Sequence, residues 1–175
     1  MLLVAHGNSG SDQRALAASM LIGLTNVVFT LIALSIMDRF DRHTLLTGSA
    51  AVMCAALLLL AFQFHRANAD FALIVGSIMF YTAAFNMGLG PGAWLYISEI
   101  FPTNVRGRAM SIATAVLWAS CILVSNSFLT MVRALGPAGA FGVFAGICAF
   151  AAIFFSRLPE TRGRSLEEIE QSWKP

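Results

Sequence analysis

Long apolar runs alternate along this chain with short stretches that hold nearly all of its charge. Five such runs occupy residues 15 to 37, 44 to 62, 71 to 97, 109 to 132 and 138 to 156. Each is long enough for an α-helix to cross a hydrocarbon core of about 30 Å, which takes roughly 17 to 20 residues. Membrane strands would instead alternate polar and apolar positions over about ten residues, a pattern absent from these runs. The pattern predicts an all-α transmembrane bundle of five spanning helices over 15 to 156, between a tail at 1 to 14 and another at 157 to 175.

Composition agrees with this reading. Hydrophobic residues make up 58% of the chain and charged residues only 11%, with a mean hydropathy of +0.76. An ordinary soluble domain carries about 25% charged residues. The net charge of +2 is small and its basic residues are scattered, so no nucleic acid is expected as a partner. The first residues lack a basic region and a long enough apolar run to form a secretory signal. Cys54, Cys121 and Cys148 all fall inside apolar runs, where a cysteine behaves as a small packing residue. No disulfide framework, zinc spacing, cofactor motif or catalytic nucleophile constellation stands out, so neither a metal nor a cofactor nor an enzyme is expected.

Basic residues assign an orientation. With five spans, one side collects Arg39, Arg42, Arg106, Arg108, Arg157, Arg162, Arg164 and Lys174, and the other Arg14, Arg66 and Arg133. The positive-inside rule makes the C-terminal tail cytoplasmic and the N-terminal tail external, in a plasma or inner membrane. An external start at a bare Met favours a preceding span that is missing from this chain over a first span that inserts on its own and carries a short tail across.

Three charged segments punctuate the side predicted to be cytoplasmic: "DRFDRH" at 38 to 43, "SEIFPTNVRGRA" at 98 to 109 and "LPETRGRSLEEIE" at 158 to 170. In order and spacing they resemble the second half of a major facilitator superfamily sugar porter. There the eighth helix ends in an acid-Arg-x-Gly-Arg-Arg turn, the tenth in Glu-x-Phe-Pro-x-x-x-Arg-Gly, and Pro-Glu-Thr-x-Gly follows the twelfth. The resemblance implies that the five spans correspond to helices eight to twelve, with the first seven absent. It also implies a cytoplasmic gate of ion pairs among Asp38, Arg39, Arg42, Glu99, Arg106, Glu160 and Arg162, holding an outward-open state. Read without the resemblance, the same charges are loops that set topology. Asp41 stands where the family has Gly, and His43 replaces its second basic residue, which weakens or rearranges the turn.

Polar positions inside the spans supply the candidate binding site. Gly90, Pro91 and Gly92 interrupt the third run, and lipid does not tolerate a helix break unless it faces protein or a cavity. Discontinuous helices of this kind hold substrate in several transporter folds. Trp94, one turn on, offers an apolar face and an N–H donor to a sugar ring, or else anchors the helix at the interface. In the first span Ser19, Gly23, Asn26 and Thr30 share one helix face, which suits either helix contacts or a substrate cavity. The resemblance makes Asn26 a sugar ligand, with Thr30 in the same pattern and Trp94 lining the sugar pathway. Trp118 matches the Trp of an Asn-Trp-x-x-Asn element whose two Asn are here Leu117 and Cys121. Asn86 is a secondary ligand candidate, or an interhelical hydrogen-bonding residue. No Asp or Glu lies deep within a span to relay protons.

Two functions remain from these observations. The chain is expected to serve transport of a monosaccharide as the C-terminal part of a sugar porter, incomplete alone and partnered by a separately encoded N-terminal half. The alternative is a non-transporting remnant, sensor or interaction subunit in the bilayer.

Overall fold

The computed structural model describes residues 9–37, 39–66, 70–101 and 103–158. The described residues form five helical segments: α1 (Ser9–Ile36), α2 (Arg42–His65), α3 (Phe71–Met87), α4 (Leu89–Ile100) and α5 (Thr103–Phe155). The fold is the all-α membrane bundle expected, with two departures in how its spans are delimited.

The first departure concerns the last two spans. Among the described residues, four rather than five helical stretches are long and apolar enough to cross a membrane, because the expected fourth and fifth spans share the single stretch Val105–Phe155. That stretch is not straight. Gly136 has φ 72° and ψ 167°, a backbone conformation open essentially to glycine alone. Pro137 then opens the second limb, where its missing N–H removes no helical bond. Phe128 and Phe144 lie sixteen positions apart, about 24 Å along a straight helix, yet their ring centroids are 6.1 Å apart. The chain therefore doubles back at Gly136, and α5 is a helical hairpin.

The second departure is in the third span, which divides into α3 and α4 at Gly88 (φ −134°, ψ −75°). The Gly-Pro-Gly sequence lies just beyond the break, in the first turn of α4. Proline is accommodated there because the first four N–H groups of a helix have no intrahelical acceptor. Upstream, Asp70 caps α3 by accepting the Ala72 N–H at 2.9 Å, and Arg66 closes α2 with its guanidinium 4.4 Å from the Phe62 ring.

Helix α2 is the centre of the bundle and packs against α3, α4 and α5. Its buried side carries Leu46, Ala50, Met53, Ala56, Leu57 and Leu60, where the alanines let neighbouring backbones approach. Leu57 and Leu60 join Ala145 of α5, with Ile74, Ile78, Phe141 and Phe144 closing around them. Outward, Leu24, Ile122 and Phe150 are each more than 60% exposed. A continuous apolar exterior of this kind is stable facing lipid tails and would aggregate in water.

Candidate functional site

Helix α1 presents its polar stripe beside, rather than on, its packed face. Thr25, Ala33 and Met37 are buried, whereas Ser19, Gly23 and Asn26 are exposed and Thr30 sits at the boundary. Thr30 Oγ1 lies 2.8 Å from the Asn26 carbonyl and 3.3 Å from Asn86 Oδ1 on α3, so its hydroxyl proton is shared between two acceptors. The Asn86 side chain is only 7% exposed, and its Nδ2 donates to the Thr82 carbonyl at 2.9 Å. Three candidate residues are thus linked in a row: Asn86 to Thr30, and Thr30 to the Asn26 backbone.

The helix break supplies the next group. Gly92 is buried, where an added Cβ would meet Leu46 and Met37, and Gly90 and Pro91 are half-buried. This segment faces protein, as its composition requires. The closest approach is at Gly88, where an added Cβ would stand 2.3 Å from Ser49 Oγ and 2.6 Å from the Leu45 carbonyl. Gly88 was not among the sequence candidates. Its signal was nonetheless present: Pro91 cannot donate to the carbonyl of Met87, four residues earlier, which is where α3 ends. Trp94 is half-buried on α4, while Trp118 stands 62% exposed on the first limb of α5. A cavity of about 370 Å³ between α1, α2 and α3 is lined by apolar residues including Phe29, Val52, Phe80 and Met87. It contains none of the candidate sugar ligands.

At the charged end, Arg42 opens α2 and is 8% exposed. Its Nε and Nη2 both lie 3.3 Å from Glu99 Oε1 in the last turn of α4, and its Nη1 donates to the Met37 carbonyl. One guanidinium therefore ties the end of α1, the start of α2 and the end of α4. Arg106 turns to backbone instead, donating from Nε to the Phe101 carbonyl at 3.3 Å. That carbonyl follows the last residue of α4, where a cation is favoured by the helix dipole. Arg39 is exposed. Asp38, Glu160 and Arg162 lie outside the described residues. Among the described residues, no group of three or more His, Cys, Asp or Glu could hold a metal ion.

The family model described as "Sugar (and other) transporter" matches residues 6–173. The chain belongs to this sugar transporter family. Membership and the long apolar helices make it an integral multi-pass membrane protein. A relative from Apis mellifera ligustica, named facilitated trehalose transporter Tret1, is 36% identical over 170 residues, covering 94% of this chain and 34% of that protein. Myo-inositol transporter 1 of Candida albicans is 35% identical, covering 88% of this chain and 30% of its own. The inward-open conformation of the xylose transporter XylE from E. coli superposes with a TM-score of 0.85 at 32% identity, over 92% of this chain and 36% of that one. The chain thus spans about a third of the length of these family members.

Proposed function

We propose that this chain is the C-terminal part of a transporter for a monosaccharide and works with a separately supplied N-terminal half. The observation that carries the reading is the match to the sugar transporter family over residues 6–173. Alternating access in such folds takes two repeats moving about a shared midplane site, and the chain spans about a third of its relatives. Asn26 is the sugar ligand, supported by its exposure on a face that no described helix covers. Trp94 supplies a stacking surface just beyond the break at Gly88, and Trp118 a more distant one on α5.

The Arg42–Glu99 pair is the centre of a gate on the cytoplasmic side. Its contact brings Arg39 and Arg42 to the same end of the bundle as Arg106 and Arg108, in support of a cytoplasmic C-terminus. Arg14, which lines a cleft with Phe71 and Ala72 at the start of α3, falls at the opposite end.

The test is uptake of radiolabelled D-xylose and D-glucose by cells lacking sugar transporters, expressing this chain with and without the N-terminal half of a family member. Uptake is expected only when both are present. Absence of uptake with both inserted in the membrane would assign the chain to a non-transporting role.

A further inference from the structure

We propose that Asn86 is a positioning residue rather than a sugar ligand, and that it acts through Thr30 to fix the orientation of Asn26. The inference rests on the proposed role of Asn26 and assigns Asn86 and Thr30 a different one from that implied by their polar character.

The geometry turns both polar atoms of the Asn86 amide to partners within the protein. Its Oδ1 accepts from Thr30 and its Nδ2 donates to the Thr82 carbonyl, within a side chain 7% exposed. Turning the amide over would set Oδ1 against the Thr82 carbonyl, two acceptors facing each other, so the observed orientation is the one the helix selects. Thr30 is held in the same way. A helical threonine divides between two χ1 rotamers, one of which lets the hydroxyl bond a carbonyl one turn back. Thr30 adopts that rotamer, 2.8 Å from the Asn26 carbonyl, with Asn86 Oδ1 as its second acceptor. Asn86 thereby selects one of two states for a residue bonded directly to the Asn26 backbone.

The contact also fixes how α1 sits on α3. Around it the packed edge of α1 is Thr25 and Ala33, with Met37 just past its end, and Thr25 uses its hydroxyl within its own helix, on the Leu21 carbonyl. Apolar packing alone lets a membrane helix rotate or slide by small amounts, because lipid and protein contacts are nearly equivalent. A hydrogen bond across the interface removes that freedom at one position. Asn86 stands two residues before the break at Gly88, so the end of α3 is tied to α1 where α4 departs from it.

Two measurements on the whole chain in nanodiscs test the proposal. In the first, nitroxides at Asn26→Cys and Ala51→Cys, on a background without the native cysteines, report the width of the distance distribution between α1 and α2. Asn86→Leu and Thr30→Val should each broaden it, the double variant should broaden it no further, and Thr30→Ser should restore it. An unchanged width in Asn86→Leu would overturn the proposal whether or not the chain binds sugar. In the second, D-xylose affinity is measured with the N-terminal half of a family member supplied. Each single variant should weaken binding about threefold, the typical value of one interhelical hydrogen bond in a membrane, and the double variant equally. Losses that multiply in the double variant would make Asn86 and Thr30 independent ligands and overturn the positioning role. If no variant, wild type included, binds sugar while the widths change as expected, the sugar reading fails and the coupling of Asn86 to Thr30 stands.

Discussion

Arg42 and Glu99 meet across fifty-seven residues of sequence, with two guanidinium nitrogens 3.3 Å from one carboxylate oxygen. Arg42 is 8% exposed at the first position of α2, where the helix dipole disfavours a cation. Its placement is tolerable because Glu99 and the Met37 carbonyl both accept from it. Removing the Glu99 carboxylate leaves a largely desolvated charge with fewer acceptors.

Glu99→Ala is accordingly expected to destabilise the bundle by about 1 to 3 kcal/mol. This is below the 3 to 5 typical of a fully buried broken pair, because the Glu99 side chain is 26% exposed. Arg42→Leu combined with Glu99→Leu should cost less than Glu99→Ala alone, since the desolvated charge is then removed together with its carboxylate acceptor. Thermal unfolding in detergent distinguishes these variants. A double variant markedly less stable than Glu99→Ala would show that the pair contributes net stability beyond mutual neutralisation.

Gly88→Ala tests the close approach of the helix break to α2. The new methyl would fall 2.3 Å from Ser49 Oγ and 2.4 Å from Ser49 Cβ, so rotating the hydroxyl gives no relief. The Leu45 carbonyl at 2.6 Å blocks a backbone adjustment toward it. A loss of about 1 to 3 kcal/mol is expected from this overpacking, seen as a lower melting temperature. Adding Ser49→Gly should recover only part of it, because the carbonyl clash persists. Full recovery would place the whole conflict on the serine side chain.

What the sequence made legible follows the distance over which each feature is set. Helical spans depend on local apolar length, and α1 to α4 fall close to the runs read directly from the chain. The position of the break is less legible: Gly-Pro-Gly marks it, yet the non-helical residue is Gly88, because proline fits the first turn of a helix and disrupts the turn before it. The ion pairs show the harder case. Glu99 and Arg42 were both candidates from their motifs, but their pairing, and the turn of Arg106 to the Phe101 carbonyl, depend on how α2 and α4 pack. Likewise no pattern in α3 alone could show that Asn86 meets Thr30.

Gly136→Ala is expected to disturb the α5 hairpin more than a surface substitution would. At φ 72° and ψ 167° a side chain costs on the order of 1 to 3 kcal/mol of backbone strain, although the space around the position is open. The strain acts where the two limbs turn toward each other, and relaxing it would part Phe128 from Phe141 and Phe144. Cross-linking of Phe128→Cys to Phe144→Cys by a short bifunctional reagent reads this directly. It should be efficient with Gly136 and reduced with Ala. Equal efficiency would mean that packing between the limbs, rather than the glycine, holds the turn.

Asn26→Ala separates binding from architecture. Asn26 is exposed, and its backbone carbonyl, which accepts from Thr30, survives the substitution. Membrane insertion and melting temperature should therefore stay close to wild type. If the amide donates to and accepts from sugar hydroxyls in the assembled transporter, its loss removes a neutral hydrogen-bonded pair worth about 1 to 3 kcal/mol, or roughly five- to 150-fold in affinity. Val27→Ala, one position on and 58% exposed, removes only apolar surface and should leave affinity unchanged. Affinity is read as the concentration dependence of D-xylose and D-glucose binding with the N-terminal half supplied. Wild-type affinity in well-inserted Asn26→Ala would move this residue out of the binding site and leave Trp94 to carry the sugar contact.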